Sequence, residues 1–253
     1  MEVDGPVASV VLDSPDRRNA QTPGMWRALA AVPGSLAAAV RVVVVRAEGP
    51  AFSAGLDRRM FTPEGVPGEP SLLDLSRASA LEFDSLVAGF QSAFSWLRDP
   101  TYVTIAAVQG HAVGAGFQLA LACDLRVVAD DVQLCMKETS LGLVPDLGGT
   151  QPLVEAIGYA RALELCVSGR SMGADEAVST GLALRAVPAR DLVAATGRLA
   201  GSLVAAPLGA VQDTKRLLLS ASSNSYAEQL AAERTAQARR IKALLASAEG
   251  VPG

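Results

Sequence analysis

A chain of 253 residues, half of them hydrophobic and 19% charged, is long and apolar enough to bury a large core, which excludes a disordered or fibrous protein. A formal net charge of −4 argues against a nucleic-acid surface, which needs a basic face. No apolar run approaches the length of a membrane-spanning helix.

Val7–Leu12 reads as a first strand, closed by the turn Asp13-Ser14-Pro15-Asp16. No basic start followed by an apolar run precedes it, so no signal peptide is expected. Thr22 followed by Pro23 is an N-cap with proline at the first helical position, opening a helix through residue 32. Residues 41–46 read as a buried strand, because Val42-Val43-Val44-Val45 is an unbroken β-branched run. Residues 61–70 carry three prolines and two glycines and read as a mobile loop. Residues 71–98 read as a long helix, broken or kinked near Gly89. Val103–Val108 is the next strand, then a glycine-rich turn runs straight into an apolar helix, and Leu125–Ala129 is strand-like again. Another helix is expected to start near Gly148.

Strands alternating with helices predict an α/β layered core. Beyond Pro188 the pattern changes to Ala/Leu-rich stretches at 191–205, 207–220 and 225–248, with charges at helical spacing. The division expected is a core over residues 1–190 and a helical region over 191–253. Cys123, Cys135 and Cys166 are too few and too scattered for a disulfide framework or a zinc site, so a reduced, cytoplasmic protein is the expectation. The single histidine, His111, has no ligand cluster or Gly-x-Ser-x-Gly elbow around it and reads as a turn residue; no metal is expected. Trp26 and Trp96 read as core or interface fillers.

Two segments carry chemistry. Gly114, Ala115 and Gly116 leave almost no side chain over a helix mouth, where first-turn amides lack intrahelical acceptors. After the valine strand, Phe52-Ser53-Ala54-Gly55-Leu56-Asp57 offers a second uncluttered amide, at Ala54. Two such donors from separate loops suit an oxygen that becomes anionic during a reaction. Plain tight packing is the other reading of either turn.

With Arg18-Asn19-Ala20, residues 52–57, Gly110 to Asp124, and Glu138 to Gln151 in this order and spacing, the chain resembles the crotonase superfamily, the enoyl-CoA hydratase/isomerase family. The resemblance implies a spiral of ββα units with a C-terminal helical region, assembled as homotrimers or hexamers. It implies an acyl-CoA thioester as substrate and no separate cofactor. It places the oxyanion hole at the Ala54 and Ala115 amides, and CoA contacts at Arg17, Arg18 and Leu56, with Arg58 and Arg59 as further candidates. Hydratases of the family hold a water between two glutamates; the corresponding positions here are Gln118 and Glu138. A glutamine amide orients water but does not exchange protons as a carboxylate does.

Glu138 then stands as general base, or as a surface glutamate at a helix entry. Asp146, eight residues on, resembles the aspartate of the family's dienoyl-CoA isomerases; it either shuttles a proton with Glu138 or caps the following helix. The implied activity is proton transfer that shifts the double bond of an enoyl-CoA. A hydratase tolerating Gln118 and a non-catalytic acyl-CoA-binding protein are the alternatives.

Overall fold

The valine run shows how the layers arise in the computed structural model, which describes residues 1–249. Side chains alternate across a strand, so Val43 and Val45 enter one core and Val42 and Val44 another. Both faces are covered, which is why the strand reads as continuous rather than alternating hydrophobicity.

The strands are β1 (Glu2–Asp4), β2 (Val7–Leu12), β3 (Val42–Ala47), β4 (Val103–Val108), β5 (His111–Val113), β6 (Leu125–Ala129), β7 (Gln133–Cys135), β8 (Ser171–Met172) and β9 (Arg185–Val187). The helices are α1 (Pro23–Ser35), α2 (Leu72–Arg77), α3 (Ala80–Ser95), α4 (Ala115–Ala122), α5 (Thr150–Ile157), α6 (Tyr159–Ser168), α7 (Ala174–Ser179), α8 (Leu192–Val204), α9 (Leu208–Ser220) and α10 (Tyr226–Glu249). A six-stranded sheet runs β1-β2-β3-β4-β6-β9, parallel except at the β1 edge. A second sheet runs β5-β7-β8. Successive turns of chain leave the first sheet, cross the second and return through a helix: β4, β5, α4, then β6, β7, α5. Ser53, bridged to Ala112, gives the preceding turn the same path. This is the expected α/β spiral of ββα units.

Several elements depart from the sequence reading. The strands β1, β5, β7, β8 and β9 are two or three residues long, too short to show a period, and His111 lies in β5 rather than in a turn. The long helical stretch breaks at Ala78-Ser79, not at Gly89, which lies inside α3. A capping box sets this break: Ser79 pairs reciprocally with Glu82 at the start of α3, just after α2 ends, while a second box, Ser71 with Asp74, opens α2. Elsewhere the expected caps hold: the Thr22 hydroxyl accepts from Met25 N at 3.3 Å.

The first helix past residue 190, α8, lies on the outer face of the six-stranded sheet, where Leu192 and Ala200 pack with Val42, Val44, Ile105 and Val127. Helix α9 is pinned to the core by the buried Lys215, whose ammonium donates to Asp124 Oδ2 (2.7 Å) and Tyr102 O (2.8 Å). Helix α10 is tied to α9 by Arg239 on the buried Asp213 (2.6 Å). Residues 250–253 of the expected C-terminal region lie outside the described residues.

Candidate active site

Two backbone segments meet at the mouth of α4. Gly55 has φ +81°, and a Cβ there would stand 2.5 Å from Val113 O and 3.7 Å from Ala115 N, so only glycine lets the loop after β3 lie against the start of α4. Ala115 is the first residue of α4, and its N–H has no acceptor among the described residues. The Ala54 amide, expected as the second donor, is not free: it donates to Arg18 O at 2.8 Å. The free amide of that loop belongs to Leu56. Gln21 bridges the loop from one side, donating to Gly55 O (2.7 Å) and accepting from Asp57 N (2.8 Å), which turns the Leu56 N–H the other way. Leu56 and Ala115 thus offer two unpaired donors from separate loops.

A buried polar network that the sequence reading missed holds this loop. Asn19, in the left-handed region at φ +52°, donates to Glu48 O and Ala51 O (2.9 Å each) and accepts from Ser14 N (2.7 Å). Ser53 Oγ donates to Asn19 O (2.8 Å) and accepts from Gly55 N and from Gln21 Nε2 (3.2 Å each). Gln21 Oε1 in turn accepts from the Trp26 indole at 2.8 Å. The signal was a set of polar residues, Asn19, Gln21 and Ser53, set among small and apolar ones; buried, they have to satisfy one another.

The carboxyl groups lie across from these amides. Glu138 opens the short 3₁₀ turn Glu138–Leu141 and packs against Gly114, where a Cβ would come within 3.1 Å of its Oε1. Its Oε1 accepts from Gln118 Nε2 at 2.7 Å, while its Oε2 is buried with no hydrogen-bond partner. Burial, and secondarily the charge of Asp146, push the Glu138 carboxyl above the usual glutamate range. Gln118 is itself fully buried, and its Oε1 accepts from Leu147 N (2.9 Å) and Gly149 N (3.3 Å). Those two amides fix which way the glutamine faces, so its donor end is aimed at Glu138. Gln118 is not part of the cavity wall, and in this respect differs from a residue that holds a substrate water.

Asp146 does line the cavity. Helix α5, which starts at Thr150 rather than near Gly148, has no side-chain cap, so the capping reading of Asp146 is not what the structure shows. Burial pushes its carboxyl upward too, partly offset by its own backbone N–H.

The cavity that these groups share has a volume of about 1110 Å³. Arg17, Arg18 and Arg58 stand exposed on its rim, whereas Arg59 is tied back to Asp57 at 2.7 Å. Arg17 Nε donates to Ser14 Oγ (3.1 Å), which leaves most of its guanidinium free. Lys137 also lines the cavity, with its ammonium donating to Gly169 O at 2.7 Å. Trp26, Met60 and Phe90 lie deep in the wall, with the Trp26 and Phe90 rings 4.9 Å apart. The arrangement can stabilise an oxyanion, move a proton beside it, hold an anion at the rim and bury an apolar group at the floor.

Comparison with known proteins shows the family of the chain. The enoyl-CoA hydratase/isomerase family model matches residues 2–251. A Thermobifida fusca protein, assigned provisionally as an enoyl-CoA hydratase, has been solved with CoA and with acetoacetyl-CoA. The acetoacetyl-CoA complex is 50% identical with a TM-score of 0.91, over 95% of this chain and 93% of that one. A Bacillus subtilis protein provisionally named enoyl-CoA hydratase/isomerase YhaR is 35% identical over 93% of this chain and 87% of its own. The human mitochondrial Delta(3,5)-Delta(2,4)-dienoyl-CoA isomerase is 33% identical over 88% of this chain and 69% of its own length.

Proposed function

The chain belongs to the enoyl-CoA hydratase/isomerase family, and we propose that it shifts the double bond of an enoyl-CoA thioester by proton transfer. The thioester oxygen sits against the Leu56 and Ala115 amides, with the CoA phosphates near Arg17, Arg18 and Arg58. Glu138 removes a proton from C2 of a 3-enoyl thioester; the electron pair of that C–H bond moves onto the thioester oxygen as a dienolate held by the two amides. The same proton returns at C4 as the electrons collapse, leaving the double bond between C2 and C3. A base that must both take and return a proton works best with a raised pKa, and the ionised Asp146 beside it raises it further.

The observation that carries this reading is Gln118. Where hydration calls for a second proton-exchanging group on the water, this chain has an amide clamped by Leu147 N and Gly149 N and turned onto Glu138. The test compares turnover of a 3-enoyl-CoA with hydration of the matching 2-enoyl-CoA. Isomerisation is expected to be the faster, and faster hydration would overturn the reading. Binding without turnover of either would mark a non-catalytic acyl-CoA binder.

A homotrimer or hexamer is part of the same proposal. It is supported by Tyr159, Leu163 and Val167, which stand exposed at i, i+4 and i+8 on α6, a stripe that a second subunit would cover.

A further inference from the structure

The cavity changes character from rim to floor, and this gradient bears on the acyl group. The inference rests on the thioester reading above. The rim cations Arg17, Arg18 and Arg58 are exposed, whereas Trp26, Met60 and Phe90 are 5%, 1% and 7% exposed. Leu75 and Val87 complete an apolar wall between them. Among the described residues, the cations that line the cavity are Arg17, Arg18 and Arg58 at the rim and Lys137, whose ammonium is already engaged by Gly169 O. A charged acyl terminus at the floor would therefore be buried without a partner, whereas an uncharged one gains about 0.8 kcal/mol per buried methylene.

Trp26 does more than fill this floor. Its indole N–H donates to Gln21, Gln21 donates to Ser53 Oγ, and Ser53 Oγ accepts from Gly55 N, one residue before the free Leu56 amide. One buried chain of hydrogen bonds thus joins the floor to the loop that holds the oxyanion. Removing the indole N–H leaves the Gln21 carbonyl oxygen unpaired and one end of that chain loose.

We propose that the acyl group is uncharged and medium- to long-chain or aromatic, and that Trp26 both determines this specificity at the floor and positions the Leu56 loop through Gln21 and Ser53. On this proposal acyl length is read at the floor, whereas the loop is held for every substrate.

Three 3-enoyl thioesters test this with the native protein, Trp26→Ala and Trp26→Phe: butenoyl-CoA, decenoyl-CoA and a decenoyl-CoA bearing a terminal carboxylate. Saturated butyryl- and decanoyl-CoA, titrated against tryptophan fluorescence, report binding without turnover. Native kcat/KM is expected to rise about fourfold for each methylene that reaches the floor, and to fall at least tenfold for the terminal carboxylate. Trp26→Ala should flatten the length dependence. Trp26→Phe, which keeps the ring and deletes the N–H, should preserve the ranking while lowering kcat severalfold for every substrate, butenoyl-CoA included. Equal kcat/KM and equal binding for the short and long thioesters would overturn the substrate assignment. An unchanged kcat in Trp26→Phe would overturn the positioning role. Length-dependent binding that quenches Trp26 in a protein that turns over none of the three would uphold the acyl assignment and sink the reaction instead.

Discussion

Glu138 offers one oxygen to Gln118 and keeps the other buried without a partner, a costly state for an ionised carboxylate. Its folded pKa lies above the unfolded value, so the folded state binds the extra proton, and this group's contribution to stability is lost as pH rises through the folded pKa. Glu138→Gln, which keeps an acceptor for Gln118 and removes the charge, is therefore expected to abolish turnover yet raise Tm at neutral pH. The gain should vanish below the ordinary glutamate pKa, and thermal melts across pH would show it. The two neighbours of Glu138 should move the acid limb of the pH–rate profile in opposite directions. Asp146→Asn removes a like charge, lowers the Glu138 pKa and shifts the limb to lower pH. Gln118→Glu retains the acceptor for Leu147 N and Gly149 N but sets a second carboxyl 2.7 Å from Glu138, raising the pair and shifting the limb upward. A limb that stays in place in both variants would mean that Glu138 is not the titrating base.

Helix α4 is only eight residues long, and both of its ends are put to use. Its N-terminus presents the Ala115 amide to the cavity. Its C-terminal carbonyls, which have no intrahelical donors, are satisfied by the half-buried Arg126. That guanidinium donates to Cys123 O at 2.7 Å and Leu182 O at 2.6 Å, and more weakly to Ala120 O and Leu121 O. A cation at this end also suits the helix dipole. Burial pulls the Arg126 pKa down, and no carboxylate side chain bonds it among the described residues. Arg126→Met should leave several buried carbonyls unpaired and destabilise the fold by on the order of 3 kcal/mol. The readout is a lower urea midpoint at unchanged m-value. At the other helical pair, Ser79→Ala should cost about 1 kcal/mol through loss of its capping box.

At the scale of the whole molecule, the site is a product of the spiral. Each turn brings one loop to the same end: Arg17 to Gln21 after β2, Ser53 to Asp57 after β3, Gly114 and Ala115 after β5, and Glu138 after β7. Stacking these turns in register is what sets two free amides and two carboxyls around one cavity. If the exposed stripe of Tyr159, Leu163 and Val167 is a subunit contact, Leu163→Glu should shift the sedimentation coefficient of the native assembly to that of the single chain. A sedimentation coefficient unmoved by the change would exclude that face.

The sequence by itself determined what local physics controls. A β-branched run placed β3, an N-cap with proline placed α1, charges at helical spacing in Ala/Leu-rich stretches marked the C-terminal helices, and small residues at 114–116 marked the mouth of α4. The order of four short motifs was enough to point to the family. Only the tertiary structure decided which amides are free, because a hydrogen bond from Ala54 to Arg18 joins residues 36 positions apart and leaves no trace in either segment. It likewise decided the parts of Gln118 and Asp146. A glutamine reads alike whether it faces water or a clamp of backbone amides, and an aspartate before a helix reads as a cap until the helix is seen to begin four residues later. Short strands such as β5 and β7 were invisible for a related reason: at three residues, their pairing comes from the neighbouring turn of the spiral rather than from their own pattern.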